Sequence, residues 1–270
     1  MRRLIPAVAA AIALLALAAT ASAHDLFLRL ESYFVPANSP VLIRVLNGTF
    51  AKSEGSVQRN RLRDITVAAG GTRRQLDSGA WTDTSKTEST LAIQTGAAGT
   101  YVIGASTKPR LIRLEAKDFN AYLEEDGLPD VLSARRRAGE LRKPARERYH
   151  KHVKAMLQVG DARTDDYGIV LGYPAELVPL SNPYATRVGQ ILAFRCLLDG
   201  APSPRQTVIA GSESNTGKVA QHGYRADSAG IVRVPITRRG KWYVKFIRME
   251  PVQDSVDYES KWATLTFEIR

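Results

Sequence analysis

Apolar and polar residues alternate along the chain from His24 to about Arg113, and this alternation predicts β-strands. Leu26, Leu28 and Leu30 fall on every second position, as in a strand with one buried face. Glycine- and proline-rich turns separate the short apolar runs, which is typical of a β-sandwich. We therefore expect a first β-sandwich over residues 24–114, with further strands near 41–46, 65–67, 90–93 and 101–103.

The pattern changes to a helical spacing between residues 115 and 160. Phe119, Tyr122 and Leu123 recur at intervals of three and one, and Gly127 follows as a helix-ending residue. A second helical stretch begins at residue 128, and a third is predicted over residues 145–157. The face of that third helix is formed by Tyr149, Val153, Met156 and Leu157. These stretches predict a helical insert over residues 115–160.

Strand patterns return towards the carboxyl end, near 191–198, 208–210, 231–234, 242–247 and 263–269. They predict a second, immunoglobulin-like sandwich over residues 161–270, with Trp242 and Trp262 packed inside it. The expected fold class is mainly β, with two immunoglobulin-like β-sandwich domains that flank a short helical insert.

The start of the chain has the pattern of an export signal. Two arginines follow Met1, residues 4–19 are apolar, and Ala21 and Ala23 form a small-residue cleavage site. We expect a signal peptide over residues 1–23 and a periplasmic mature protein. The apolar run is shorter than the roughly 20 residues of a membrane-spanning helix, so we expect no stable membrane span after cleavage.

Composition narrows the classes of function. The 270 residues carry a net charge of +11, which is compatible with an anionic partner. Export and the absence of a basic motif with interspersed aromatic residues argue against nucleic acid. The single cysteine, Cys196, lies in an apolar run, which predicts a buried thiol and excludes an intramolecular disulfide.

Cleavage after Ala23 would make His24 the first residue of the mature chain. Its free amine and its imidazole can then chelate one transition metal ion, and such nitrogen donors suit nickel, cobalt or copper. Asp25 could add an oxygen ligand, and His222 could add a nitrogen if the fold brings it close. The alternative is that His24 binds no metal and is the first residue only because signal peptidase cleaves before it.

Motifs of common enzymes are absent. The sequence has no Gly-x-Ser-x-Gly elbow, no glycine-rich phosphate loop and no His-Glu-x-x-His pair. His150 and His152 lie in the predicted third helix, where a spacing of two would point their rings to opposite sides. We therefore expect no enzymatic activity. A copper enzyme with an amino-terminal histidine brace is a lesser alternative, because it needs a second histidine beside His24.

Several stretches of the mature chain resemble the bacterial domain-of-unknown-function family 4198. They are AHDLF (23–27), YLEEDGL (122–128), RERY (146–149), KA (154–155), ELVP (176–179), NPY (182–184), GKW (240–242) and ESKWATLTF (259–267). Members of the family are often described as periplasmic components of cobalt or nickel uptake systems. The resemblance therefore implies a metal-handling protein that works with a membrane transporter component.

One position departs from the family pattern. Relatives often carry a histidine before the methionine of the strand that follows Gly-x-Trp, whereas this chain has Arg248 before Met249. Two classes of function thus remain open. The first is a binding protein for a transition metal, with His24, Asp25 and His222 as candidate ligands. The second is a non-catalytic interaction module with immunoglobulin-like domains and no metal site.

Overall fold

The computed structural model describes residues 24–214 and 216–270, and the predicted signal peptide lies outside these residues. The expected mainly β fold is confirmed. The strands of the first part are β1 (Asp25–Arg29), β2 (Phe34–Val35), β3 (Pro40–Gly48), β4 (Ser53–Gly55), β5 (Leu62–Ala69), β6 (Thr72–Gln75), β7 (Trp81–Asp83), β8 (Ser89–Gln94), β9 (Gly99–Thr107) and β10 (Arg110–Leu114).

Two helices follow, α1 (Ala116–Glu125) and α2 (Pro129–Arg137). The remaining strands are β11 (Ala145–Val159), β12 (Ala175–Pro179), β13 (Ile191–Leu198), β14 (Ala201–Pro202), β15 (Thr207–Glu213), β16 (Val219–Arg225), β17 (Ile231–Pro235), β18 (Gly240–Pro251) and β19 (Tyr258–Ile269). Within residues 24–214 and 216–270, no helix combines the length and the apolar character needed to cross a membrane.

The strands form three sheets. The largest has ten strands in the order β16-β15-β18-β19-β11-β9-β5-β6, with β2 and β10 also paired to β11. A five-stranded sheet runs β1-β3-β8-β7, with β4 on β3, and a four-stranded sheet joins β12, β13, β14 and β17. The ten-stranded sheet takes strands from both halves of the chain, and β11 lies between them because it pairs with β9 on one side and β19 on the other.

One hydrophobic core connects all three sheets. It contains Ile43 of the five-stranded sheet, Ile103 and Met156 of the ten-stranded sheet, and Phe194 of the four-stranded sheet. The two smaller sheets therefore cover the large one in a sandwich-like arrangement. The alternation in β3 shows why this works, because its buried residues face the core while Leu42 and Arg44 face solvent.

A second core lies beneath the helices. Phe119 and Leu123 of α1 pack against Met249 of β18 and Trp262 of β19. Trp262 also stacks on Tyr122, with ring centroids 5.8 Å apart and planes at 9°. Both predicted core tryptophans are buried, but Trp242 packs in the main core whereas Trp262 faces the helices.

The predicted third helix is wrong. Residues 145–159 form the fifteen-residue strand β11, so the helical part of the expected insert covers only α1 and α2. The physical reason is that β11 is covered on both faces, and a strand of that kind does not show the alternation that identifies a half-exposed one. Its buried positions also include His150, Lys151, His152 and Lys154, which in the sequence mimic the polar face of a solvated helix.

Candidate functional site

His24 lies immediately before β1, and its side chain keeps 32% of its exposure to solvent. Its Nδ1 atom is 3.2 Å from Oε2 of Glu54. The contact follows from the topology, because β1 pairs with β3 and β4 folds back onto the end of β3. Sequence patterns did not indicate Glu54, because it belongs to the polar stretch 51–61, which is typical of a loop.

Lys151 fixes the backbone at the same point. Its ammonium donates a hydrogen bond to the carbonyl oxygen of His24. The Nζ atom also lies 4.7 Å from the ring centre of Trp262 and 5.3 Å from that of Tyr149. Burial lowers the pKa of Lys151 to about 8, against the opposing influence of nearby carboxylates such as Asp25. Lys151 is thus a buried cation surrounded by aromatic faces.

Asp25 is engaged with a different lysine. Lys245 of β18 forms ion pairs with Asp25 and with Asp126, the latter at 2.7 Å. Burial by itself lowers the pKa of Lys245, but the two carboxylates outweigh it and raise that pKa above its usual value. The ammonium contacts Oδ2 of the Asp25 carboxylate, so Asp25 is better placed as a counter-ion than as a metal ligand.

His222 lies on β16 opposite Ala210 and is exposed. Its neighbour Gln221 accepts a hydrogen bond from the hydroxyl of Tyr243 and lines a cavity of about 400 Å³ together with Asp25. Adjacent residues of a strand face opposite sides. The side chain of His222 therefore points away from that cavity, and the structure does not bring it together with Asp25.

The part of the chain that the structure describes contains no group of three or more His, Cys, Asp and Glu side chains arranged to hold a metal ion. The donors near His24 are its own nitrogens and the Glu54 carboxylate. A metal site at this point would depend on the free amine, which is not a side-chain group.

His150 and His152 share one face of β11, because residues two apart in a strand point the same way. His152 Nδ1 lies 2.9 Å from the hydroxyl of Ser106, and its Nε2 lies 3.2 Å from His150 Nδ1. His150 Nε2 is 3.4 Å from the Glu259 carboxylate without forming a hydrogen bond. Ser106 and His152 are buried in the sheet, so this chain of contacts belongs to the interior.

Two neighbouring cavities open beside Lys151. The larger has a volume of about 420 Å³, and the smaller, which includes His24, about 110 Å³. Asn47, Arg110, Tyr149 and Lys151 line both. The walls combine positive charge with aromatic surface. Of the three predicted ligands, only His24 lines one of these two cavities, the smaller one. Asp25 lines the separate cavity of about 400 Å³, and His222 lines none of the three.

Comparison with known proteins identifies the family. Residues 21–250 match the family described as Domain of unknown function (DUF4198). The chain belongs to this family. The resemblance noted in the sequence is thereby confirmed, and the match extends from β1 to the last residue but one of β18. No curated protein matches the chain in sequence.

Two solved structures align with the chain at low similarity. The crystal structure of a tetra-tandem repeat in the extending region of a large adhesion protein aligns at a TM-score of 0.25 and 10% identity. That alignment covers 91% of this chain, which spans about half, 49%, of the adhesion-protein chain. The D0-D1 domain of intimin aligns at a TM-score of 0.22 and 11% identity, over 90% of this chain and 97% of the intimin chain.

Proposed function

We propose that the protein, after cleavage behind Ala23, binds a divalent transition metal ion at His24 in the periplasm. The observation that carries the proposal is the 3.2 Å contact between His24 Nδ1 and the Glu54 carboxylate. Nδ1 is the ring nitrogen that closes a chelate with the amine of the same residue. The amine, Nδ1 and one carboxylate oxygen together make a donor set of two nitrogens and one oxygen.

This donor set fits nickel, cobalt and copper, which bind imidazole and amine nitrogens well. Both side chains are accessible, since His24 retains 32% and Glu54 43% of its side-chain exposure. Lys151 holds the carbonyl of His24 and thereby positions the amino terminus. Three protein donors leave other coordination positions for water or for a partner, which suits a protein that takes up an ion and passes it to a membrane transporter component.

A copper enzyme with a histidine brace has less support. The brace needs a second imidazole at the amino terminus. His150 and His152 point to the face of β11 opposite to Lys151, because they are its neighbours in the strand. Lys151 is the residue of β11 that contacts His24.

The competing function is a non-catalytic interaction module in which His24 is incidental. It is favoured by the finding that the described residues contain no cluster of three or more metal-binding side chains. The two functions differ in one measurable property, which is the contribution of the free amine and of Glu54 to metal affinity.

The test uses processed protein whose amino terminus has been verified by mass spectrometry. Isothermal titration with Cu²⁺, Ni²⁺ and Co²⁺ is compared for the native protein, His24→Ala, Glu54→Gln and a form with one additional amino-terminal glycine. We expect affinity to decrease in the order copper, nickel, cobalt. His24→Ala and Glu54→Gln should each weaken binding at least about tenfold, since each removes one donor from a three-donor site. The added glycine changes the chelate that the amine forms with the imidazole, so it should change the metal affinity or the order of metals.

Glu88→Gln is the matched control, because Glu88 pairs with Arg44 at the opposite end of the β1–β3 pair. Its affinity should equal that of the native protein. Binding should also weaken in acid, because protons compete for both nitrogens. Equal metal affinity in the native protein and all variants would refute the metal site and leave the interaction module.

A further inference from the structure

The larger cavity beside Lys151 collects positive charge without a balancing carboxylate. Arg61, Arg110 and Lys151 all line it, and the other described residues of its wall are uncharged: Leu26, Asn47, Ser56, Val57, Gln58, Asn60, Thr107 and Tyr149. We call this cavity the cationic cleft. Like charges that share a small volume repel each other. The arrangement therefore carries an energetic cost that a bound anion would remove.

Lys151 is the most deeply placed of the three cations, with only 7% of its surface exposed. Its ammonium contacts a carbonyl and two aromatic rings, and in the described residues it forms no ion pair. A buried cation normally has a carboxylate as its partner. Here Asp25, Asp126 and Glu147 act on its charge, but none of them forms an ion pair with it, and Lys151 lines the cationic cleft.

Arg61 provides the second observation. Its Nε atom is buried but has no hydrogen-bond partner among the described residues. Buried hydrogen-bond donors usually have an acceptor. A guanidinium nitrogen that lies beside a cavity and has no acceptor therefore indicates that a bound ligand supplies one. A guanidinium donates two parallel hydrogen bonds to a planar carboxylate.

The remaining walls match an organic molecule. Tyr149 contributes an aromatic face, Leu26 and Val57 contribute apolar surface, and Asn47 contributes an amide. A volume of about 420 Å³ lies in the range of small-molecule sites, which are roughly 300–1,000 Å³. These dimensions exceed the needs of an inorganic ion.

We propose that the cationic cleft binds a small organic anion that carries one or more carboxylate groups. Arg61 and Arg110 bind the carboxylate at the mouth of the cleft, and Lys151 supplies the charge at its base. The apolar and aromatic walls receive the body of the molecule. This site is separate from the His24 metal site and does not depend on it, since no nitrogen of His24 and no atom of Glu54 is required.

The experiment measures anion binding to processed protein that has been freed of metal on a chelating resin. Isothermal titration with acetate, succinate, citrate and inorganic phosphate is carried out on the native protein, Arg61→Met and Arg110→Met. Arg74→Met is the matched control, because Arg74 is an exposed arginine of β6 outside the cleft. Methionine retains most of the side-chain length and removes the charge.

We expect at least one carboxylate to bind the native protein, with an affinity that decreases as salt is added. Arg61→Met and Arg110→Met should each weaken that binding at least about tenfold, and Arg74→Met should leave it unchanged. His24→Ala should also leave it unchanged, which separates this site from the metal site. Because Arg61 and Arg110 are not fully buried, the variants remain informative even if a Lys151 variant fails to fold.

Four results would overturn the proposal. They are the absence of binding by every carboxylate probe, equal affinity in Arg61→Met and Arg74→Met, binding that appears only when a transition metal is added, and tighter binding of inorganic phosphate than of any carboxylate. The third result would mean that the anion binds to a metal ion at His24 and not to the cationic cleft. The fourth result would mean that the cleft recognises a phosphate group and not a carboxylate.

Discussion

His152 and His150 form a hydrogen bond inside β11, with Nε2 of His152 placed 3.2 Å from Nδ1 of His150. One nitrogen donates and the other accepts, so the contact requires at least one neutral imidazole ring. Burial lowers the pKa of both histidines, and the charge that a protonated His150 would carry lowers the pKa of His152 further. The pair thus links the protein's stability to pH.

Acid should destabilise the protein partly through His152. Its pKa is lowered from 6.5 to about 3, so the unfolded chain binds more protons than the folded one between these values. Stability is therefore retained above pH 6.5 and decreases as the pH falls through this window. At pH 5 the loss from His152 amounts to about 2 kcal/mol.

Urea unfolding at pH 7.5, 6 and 5 checks this. His152→Gln should flatten the dependence of the unfolding free energy on pH, whatever its effect at neutral pH. His222→Gln is the control, because His222 is exposed and should preserve the native slope. A native slope in His152→Gln would contradict the assignment.

Breaking the buried ion pair of Lys154 and Glu176 should cost roughly 3–5 kcal/mol. Their charged atoms lie 2.8 Å apart, and both residues are 2% exposed. The pKa of Lys154 is lowered by burial, against the attraction of Glu176. Glu176→Gln leaves the ammonium without a counter-ion, and it also weakens an acceptor for the backbone N–H groups of residues 171–173.

A double variant separates these two effects. Lys154→Met combined with Glu176→Gln removes the unpaired charge while the lost backbone contacts remain. We expect the double variant to be more stable than Glu176→Gln alone by at least about 1 kcal/mol, as measured by urea unfolding. If the double variant is the less stable of the two, the unpaired charge is not the source of the loss.

Gly211 should not tolerate a methyl group. A Cβ atom there would lie 2.3 Å from the ring of Tyr243, which packs with Phe27 and Phe50. Gly211→Ala is expected to destabilise the protein by about 1–3 kcal/mol in thermal or urea unfolding. Gly223→Ala on the paired strand β16 is the control, since a Cβ atom there meets nothing within 4 Å. Equal stability of the two variants would disprove the steric argument.

Truncation of either core tryptophan should cost about 3–5 kcal/mol. Trp242 stacks on Phe267 in the main core, and Trp262 stacks on Tyr122 beneath α1. Trp242→Ala and Trp262→Ala should both lower the melting temperature, whereas Leu42→Ala should change it little because Leu42 is exposed. Unchanged melting in both tryptophan variants would show that these cores contribute little.

A strand shows alternation in its sequence only when one of its two faces is exposed to solvent. In β3 one face meets solvent, so alternation revealed the strand. In β11 both faces are covered, and its six buried polar or charged residues imitated a solvated helix. The helices α1 and α2 were recognisable because each has one exposed side.

Of the residues at the candidate site, the sequence predicted His24 but not the side chains that contact it. His24 could be identified from the cleavage pattern alone. Its contacts could not, because Lys151 and His24 are 127 positions apart, and Lys245 and Asp25 are 220 apart. Periodicity describes local structure and carries no information on such pairings. The same limit applies to the role of Asp25, whose carboxylate forms an ion pair with a lysine on β18.

The parallel pairing of β11 with β19 has a consequence for synthesis. The paired residues, such as Arg148 and Glu259, are 111 positions apart. At a translation rate of about 5–20 residues per second, β11 leaves the ribosome roughly 5–20 s before its partner exists. During that interval one edge of a fifteen-residue strand is open to other chains. A holding chaperone that recognises extended segments therefore has a defined target and a defined time in which to act.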